Sequence, residues 1–416
     1  MTPTGAWGVD ALYVHVPFCE HRCAYCDFAS VGGLGGHEAY VTALRTEIRT
    51  VASRLPGTVL RTVFIGGGTP SLLPPLLLAG ILEEVAAGFD LAPGAEVTME
   101  ANPSSVAPDR IEQWLAAGVN RVSLGIQSLH PPTLRFLERV HDAPRALAAL
   151  RELRTGGVPR ASADLIYAVP TLDDAAWSDT LDRVLATGVR HVSAYELTVE
   201  ASTPLGRAVA AGRRPDVDVE RALAQHRMLL AAARAAGLPQ YEVSNYAVPG
   251  EECRHNETYW ANGWWLACGV GAHGHLPGAA AAALGAGAAP GPGAALRYWH
   301  HRAPGAYRSA VAADPATPFA GSEWVGPDAA ATERILVGLR RAAGVALPPA
   351  AMGEAQTLAD AGLLVLRGPV ARTTDRGQEV LDAIAVRLAQ ALDGAPECGR
   401  TGSSTASTEP AWVAAR

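Results

Sequence analysis

ALYVHVPFCEHRCAYCDF, residues 11–28, runs an apolar segment of strand length straight into three cysteines. An apolar run this short, bounded by a loop, reads as a buried strand. Cys19, Cys23 and Cys26 follow it with the spacing C-x3-C-x2-C, on a loop short enough to turn three thiolates toward one point. Three thiolates do not complete a tetrahedral structural zinc site. They can hold three irons of a cubane iron–sulfur cluster and leave the fourth iron open to a small chelating molecule. A zinc site completed by His15 or His21 is the alternative reading. Cys253, Cys268 and Cys398 stand far apart in the chain, so the six cysteines do not form a disulfide scaffold and point instead to a metal or redox site in a reducing compartment.

Outward from this stretch the pattern repeats. Strand candidates recur at 62–68, 96–103, 121–128, 163–170 and 191–199, separated by stretches of helical period such as YVTALRTEIRTVAS at 40–53. Six strand-then-helix units predict an α/β fold with a parallel sheet, a partial (βα)6 barrel rather than a closed barrel of eight. This barrel is expected over residues 1–250. A connector at 251–296 follows, in which PGAAAAALGAGAAPGPGAA after residue 276 reads as a mobile surface insertion. Residues 297–392 are expected to form a smaller, mainly helical domain. Its helices are expected at 331–345 and 377–392, and LLVLRGPVART suggests a winged-helix-like β-wing. Residues 393–416 are expected to be a disordered tail.

Composition excludes several functions. The 34 positive charges are all arginine, which removes the Walker A lysine and Schiff-base chemistry. A net charge of -7, without a basic block, argues against nucleic acid as a main partner. The apolar region 72–82 is broken by Pro74 and Pro75, so no transmembrane segment is expected, peripheral membrane contact stays open, and the location reads as cytoplasmic.

The second strand ends in Gly66, Gly67, Gly68 and Thr69. Backbone without side chains permits close approach to a ligand and supplies amide donors for a carboxylate. Glu100, Gln127 and Asp164 place polar groups on or near the later strands, where barrel enzymes build their sites.

With Tyr25 before Cys26, the cysteine loop resembles the signature C-x3-C-x-aromatic-C of the radical S-adenosylmethionine (SAM) superfamily. Within it the chain is most similar to the oxygen-independent coproporphyrinogen oxidases and their relatives, the HemW-type haem chaperones. YVHVPFC, CAYCDF, GGGTPSLL, MEANPSSV, GVNRVSLGIQS, DLIYAVP, YEVSNYA, ECRHNETYW and GVGAHG carry the likeness from Tyr13 to about residue 390. The resemblance implies a [4Fe–4S] cluster on Cys19, Cys23 and Cys26. It puts Tyr13, Gly67, Glu100 and Gln127 around SAM, and Arg139 and Asp164 in the same cavity. Phe28 stands where the oxidases have a fourth cysteine, which is the chaperones' version of the motif. The oxidases also carry an extension before the first strand, whereas here that strand begins near residue 11. HNETYW at 255–260 matches the chaperones' HNxxYW block, which implies His255 as a haem ligand with aromatic neighbours on the porphyrin. The implied partners are haem and haem-accepting apoproteins, and coproporphyrinogen decarboxylation is the catalytic alternative. His273 reads as structural or cavity-lining, and His300 and His301 beside Trp299 read as surface residues.

Overall fold

The computed structural model describes residues 5–33 and 35–392; the tail expected at 393–416 lies outside them. The described chain divides into two compact units, within residues 5–240, 244–255 and 264–324, and within residues 241–243, 256–263 and 325–392.

Six parallel strands form the centre of the first unit: β1 (Ala11–Val16), β2 (Val59–Gly67), β3 (Asp90–Ala101), β4 (Arg121–Gln127), β5 (Arg160–Tyr167) and β6 (His191–Glu196), adjacent in that order. This is the (βα)6 order expected from the sequence. Side chains alternate between faces along a strand, and β1 shows the result. Leu12, Val14 and Val16 are wholly buried on one face, while Tyr13 and His15 take the other. Tyr13 is in register with Phe64, Phe64 with Thr98, and Thr98 with Arg121. Glu100 is in register with Ser123, Ser123 with Ser162, and Asp164 with Ser193. Partners in register share a face, so one face of the sheet is almost continuously polar.

The sheet also extends past β1, which the apolar periodicity of the sequence does not predict. β7 (Asn245–Ala247) pairs antiparallel with β6, while β8 (Trp265–Cys268) pairs parallel with β1 and is followed outward by β9 (His273–Pro277), β10 (Ala295–His300) and β11 (Phe319–Val325). The expected boundary at residue 297 therefore falls inside a strand, and the second unit takes up the chain at 325. The stretch read as a mobile insertion opens with the helix Gly278–Leu284, whose Ala280, Ala281 and Leu284 are buried. Alanine is the strongest helix former, and here a short alanine-rich helix has a strand surface to pack on. Gly285, in the left-handed region at φ 95°, ends it.

The opposite face of the extension carries a buried polar knot. His300 on β10 faces Glu47 of the helix His37–Arg54 at 2.6 Å, and its other ring nitrogen faces the Ala272 carbonyl at 3.0 Å. Glu47 also accepts from the Gly269 amide at 3.0 Å and from the Tyr307 hydroxyl. His300 is thus a buried residue and not a surface one. Burial alone would lower its pKa, but the Glu47 carboxylate reverses this and raises it.

In the second unit, helices Pro327–Gly338, Met352–Asp360 and Leu381–Gln390 close over Ile335, Leu358, Ile384 and Leu388. Val345–Ala346, Val370–Thr373 and Leu364–Arg367 form a small antiparallel sheet. The expected wing is present, and the expected helix at 377–392 is broken at Val380.

Candidate functional site: a cysteine loop over a polar sheet face

β1 ends at Val16, before Pro17, whose missing N–H cannot continue the ladder. Phe18 and Cys19 then pair with Val31 and Gly32, so the loop carrying Cys19, Cys23 and Cys26 is tied at its base. All three thiols are free. Burial pushes the Cys19 and Cys26 thiols up, Cys26 to about 11, and the charge of the neighbouring cysteines adds to the rise in both. The three sulfurs therefore act on one another. His15 is committed at both nitrogens, to Tyr13 Oη through Nδ1 and the Ala29 carbonyl through Nε2, both at 3.0 Å, and His21 is turned to Glu138 at 3.2 Å. Among the described residues no three His, Cys, Asp or Glu side chains close around a single metal ion.

Arg139 is drawn to this loop. Its Nη1 donates to Cys23 Sγ at 3.5 Å and its Nη2 to the Gly125 carbonyl at 3.1 Å, while Nε is buried with no partner. An uncommitted buried guanidinium N–H needs an acceptor, and an anionic ligand beside Cys23 would provide one. Gln127 sits on a bulge at the end of β4 with φ 64°. A left-handed non-glycine residue there re-aims its side chain. A Cβ at Gly125 would lie 3.0 Å from Gln127 Nε2 and 3.5 Å from Arg139 Nη2, so the three residues meet.

Glu100 accepts from the Gly67 amide at 2.9 Å. Burial raises its pKa to about 7, the Asp164 charge adds to that, and the Gly67 hydrogen bond opposes it. Asp164 accepts from Ser123 at 2.7 Å and from Ser162 at 3.1 Å. Two part-buried carboxyls bonded to an amide and to hydroxyls are suited to a cationic ligand such as an ammonium or sulfonium group. Tyr13 lies against Phe64, ring centroids 6.1 Å apart.

The glycine turn works differently from the expectation. The amides of Gly67, Gly68 and Thr69 donate to Glu100, Val16 and Phe18, so they are not open donors for a ligand carboxylate. A Cβ at Gly67 would fall 2.5 Å from the His15 ring, and one at Gly68 would fall 2.7 Å from the Pro17 backbone. These glycines let β2 pass under the cysteine loop. Thr69 reaches Cys19 Sγ at 3.8 Å.

His255, at the start of the helix Arg254–Trp260, has no exposed surface. Its Nδ1 pairs with Thr62 Oγ1 at 2.8 Å, its ring lies on Phe64 at 5.2 Å, and its amide donates to the fully buried Glu96 at 3.1 Å. Phe28 closes the end of the loop, its carbonyl accepting from Ser30 at 2.7 Å. Sequence reasoning missed the serines around Asp164, the Gly125 meeting point and the Glu96–Thr62 support of His255. Their only sequence signal is polar residues alternating within apolar strands.

Three cysteines on a loop over the polar face of a partial barrel define the class of radical SAM proteins, and the family model described as Radical SAM superfamily matches residues 13–184. The chain is 41% identical over 388 residues to the haem chaperone HemW of Mycobacterium tuberculosis (strain ATCC 25618 / H37Rv), covering 90% of this chain and 93% of that relative. It belongs to the HemW family. HemW of Escherichia coli (strain K12) is 38% identical over 274 residues, 64% of this chain and 70% of the relative. The solved structure of E. coli coproporphyrinogen III oxidase HemN, at 19% identity, matches with a TM-score of 0.77 over 93% of this chain and 91% of that one; that likeness shows the fold. Among the described residues no helix is long and apolar enough to cross a membrane.

Proposed function

We propose that the chain is a haem chaperone of the cytoplasm. In this reading it binds haem, a [4Fe–4S] cluster and SAM, and passes haem to acceptor apoproteins. The observation that carries the reading is the 41% identity to a haem chaperone along nearly the full length of both chains. Phe28 at the position of a fourth cysteine agrees with it. Cys19, Cys23 and Cys26 would hold the cluster, and the donor set fits: three free, mutually interacting thiols with a guanidinium beside one of them. Tyr13, Glu100, Gln127, Arg139 and Asp164 would form the SAM site, with Gly66 to Gly68 and Thr69 setting the strand end beneath the cysteine loop beside it. Within it Glu100 and Asp164 favour the cationic groups, and Arg139 Nε takes a carboxylate oxygen. A reduced cluster with SAM bound supplies one-electron chemistry.

The test is anaerobic reconstitution followed by haem titration, transfer of that haem to an apo-haem protein, and assay of coproporphyrinogen III with SAM. Haem is expected to bind and to leave for the acceptor, without porphyrinogen turnover. Multiple turnovers with SAM consumed, or no haem binding by the reconstituted protein, overturn the reading.

A further inference from the structure

β9 and β10 place a second set of residues on the polar face of the sheet. His273 is in register with Trp299 and His275 with Arg297, and Trp265 of β8 is in register with His275. These five side chains share a face with one another and, through the pairing of Trp265 with Ala11, with Tyr13. The His273 and Trp299 rings lie nearly parallel, 25° between planes and 6.3 Å between centroids. Trp299 lies flat over Gly321, where a Cβ would come within 2.4 Å of the indole. Glycine at 321 is thus what makes room for the indole, which stays partly exposed.

His273 is less committed than most histidines of this unit, sharing with His37 a buried ring nitrogen that has no partner. His15 is bonded at both nitrogens, His141 bonds Asn102 and the Ile126 carbonyl, His300 bonds Glu47 and the Ala272 carbonyl, and His255 holds Thr62 through Nδ1. His273 Nδ1 is buried without a partner, and the residue keeps part of its surface in solvent, leaving Nε2 as the nitrogen open to a ligand. Burial brings its pKa down to about 4, and the positive charges of His300, Arg302 and Arg297 add to this. The ring is therefore a neutral imidazole near pH 7, the form that ligates a metal. It also sits in a positive field that favours a ligand with anionic edges.

We propose that His273 ligates the haem iron, with the Trp299 indole, nearly parallel to the imidazole, meeting the porphyrin edge-on beside it. This rests on the haem-chaperone reading and names the residues that would do the holding. His255 then has a different role: bonded to Thr62 and stacked on Phe64, it fixes the HNETYW segment. The strands that carry His273 and Trp299 also pack against the end of the cysteine loop. Gly271, two residues before His273, has room for no side chain against Ala29, since a Cβ there would lie 2.4 Å from the Ala29 Cβ. Arg302, two residues after His300, donates to Asp27 Oδ1 at 3.5 Å and to the Asp27 carbonyl.

The test uses the full chain with its cluster and two probes, ferric haem and metal-free protoporphyrin IX. The parent is expected to give a ligated Soret band. His273→Ala is expected to lose that band and at least tenfold in haem affinity, to regain the band on adding free imidazole, and to bind protoporphyrin and keep its cluster as the parent does. Trp299→Leu is expected to weaken both porphyrins, and His255→Ala to leave the haem band in place. If the alanine variant loses its cluster through misfolding, His273→Gln, of similar size, takes its place. An unchanged haem band and affinity in the His273 variant overturn this ligand while leaving the chaperone reading intact. Failure of the parent itself to bind haem overturns both.

Discussion

Replacing Glu100 by glutamine removes a carboxyl that the fold holds against ionisation. The rise of its pKa from 4.5 to about 7, at ~1.4 kcal/mol per tenfold in an equilibrium, amounts to about 3 kcal/mol. The sign follows from the order of ionisation. Below pH ~4.5 both the folded and the unfolded protein carry the proton, and Glu100 contributes no pH dependence. Between pH ~4.5 and ~7 the unfolded chain ionises first, so stability falls as pH rises; above ~7 the deficit is constant. Glutamine keeps an acceptor for the Gly67 amide and carries no charge. The variant is therefore expected to gain on the parent by about 3 kcal/mol between pH 4.5 and 8. Denaturant unfolding of the cluster-free parent and variant across that range measures it, because groups remote from Glu100 cancel in the difference, and the coupled Asp164 is relieved in the variant in the same direction. The same variant is expected to bind SAM more weakly, having lost the charge that faces the ligand's cationic groups. Parallel stability curves for the two proteins would refute the buried-carboxylate argument.

Single replacement of Cys19, Cys23 or Cys26 by alanine is expected to abolish the cluster spectrum after anaerobic reconstitution, while Cys253→Ala, Cys268→Ala and Cys398→Ala keep it; a full cluster in Cys23→Ala would contradict the ligand set. Gly67→Ala forces a Cβ to 2.5 Å from the His15 ring at φ 112°, and is expected to lower stability by roughly 3 kcal/mol or more, read from the denaturation midpoint; a variant as stable as the parent would show that the ring moves aside. Glu96→Ala strips the acceptor from Arg160, 3.1 Å away, and from the Arg254 and His255 amides. A cost of about 3–5 kcal/mol is expected, and unchanged unfolding by guanidinium would rule it out.

Local patterns carried much of this protein. The spacing of Cys19, Cys23 and Cys26 needs only a short loop to become one cluster of thiols, and the βα alternation needs only the right-handed crossover rule to become a parallel sheet. Both are written within a few residues or in one repeating period. Glu100 and Asp164 read as candidate site residues because a polar side chain in an apolar strand must serve something, whereas Tyr13 came only with the family resemblance. What the sequence could not supply is anything fixed by distant partners. The chain at 251–296 reads as a connector, and 297 as the start of a second domain, because the strands there are short and the helix is alanine-rich; only pairing outward from β1 makes these strands part of the sheet. Arg139 looks like a helix-face charge until Cys23, 116 residues earlier, is brought beside it. Gly67 and Gly68 look like part of a ligand cradle until the His15 ring and the Pro17 backbone occupy the space their side chains would need. His255 and His273 are alike as letters. Tertiary structure separates them, giving one a hydroxyl, an aromatic ring and no surface, and leaving the other uncommitted, because hydrogen-bond commitment and solvent access are properties of neighbours that the chain brings together only on folding.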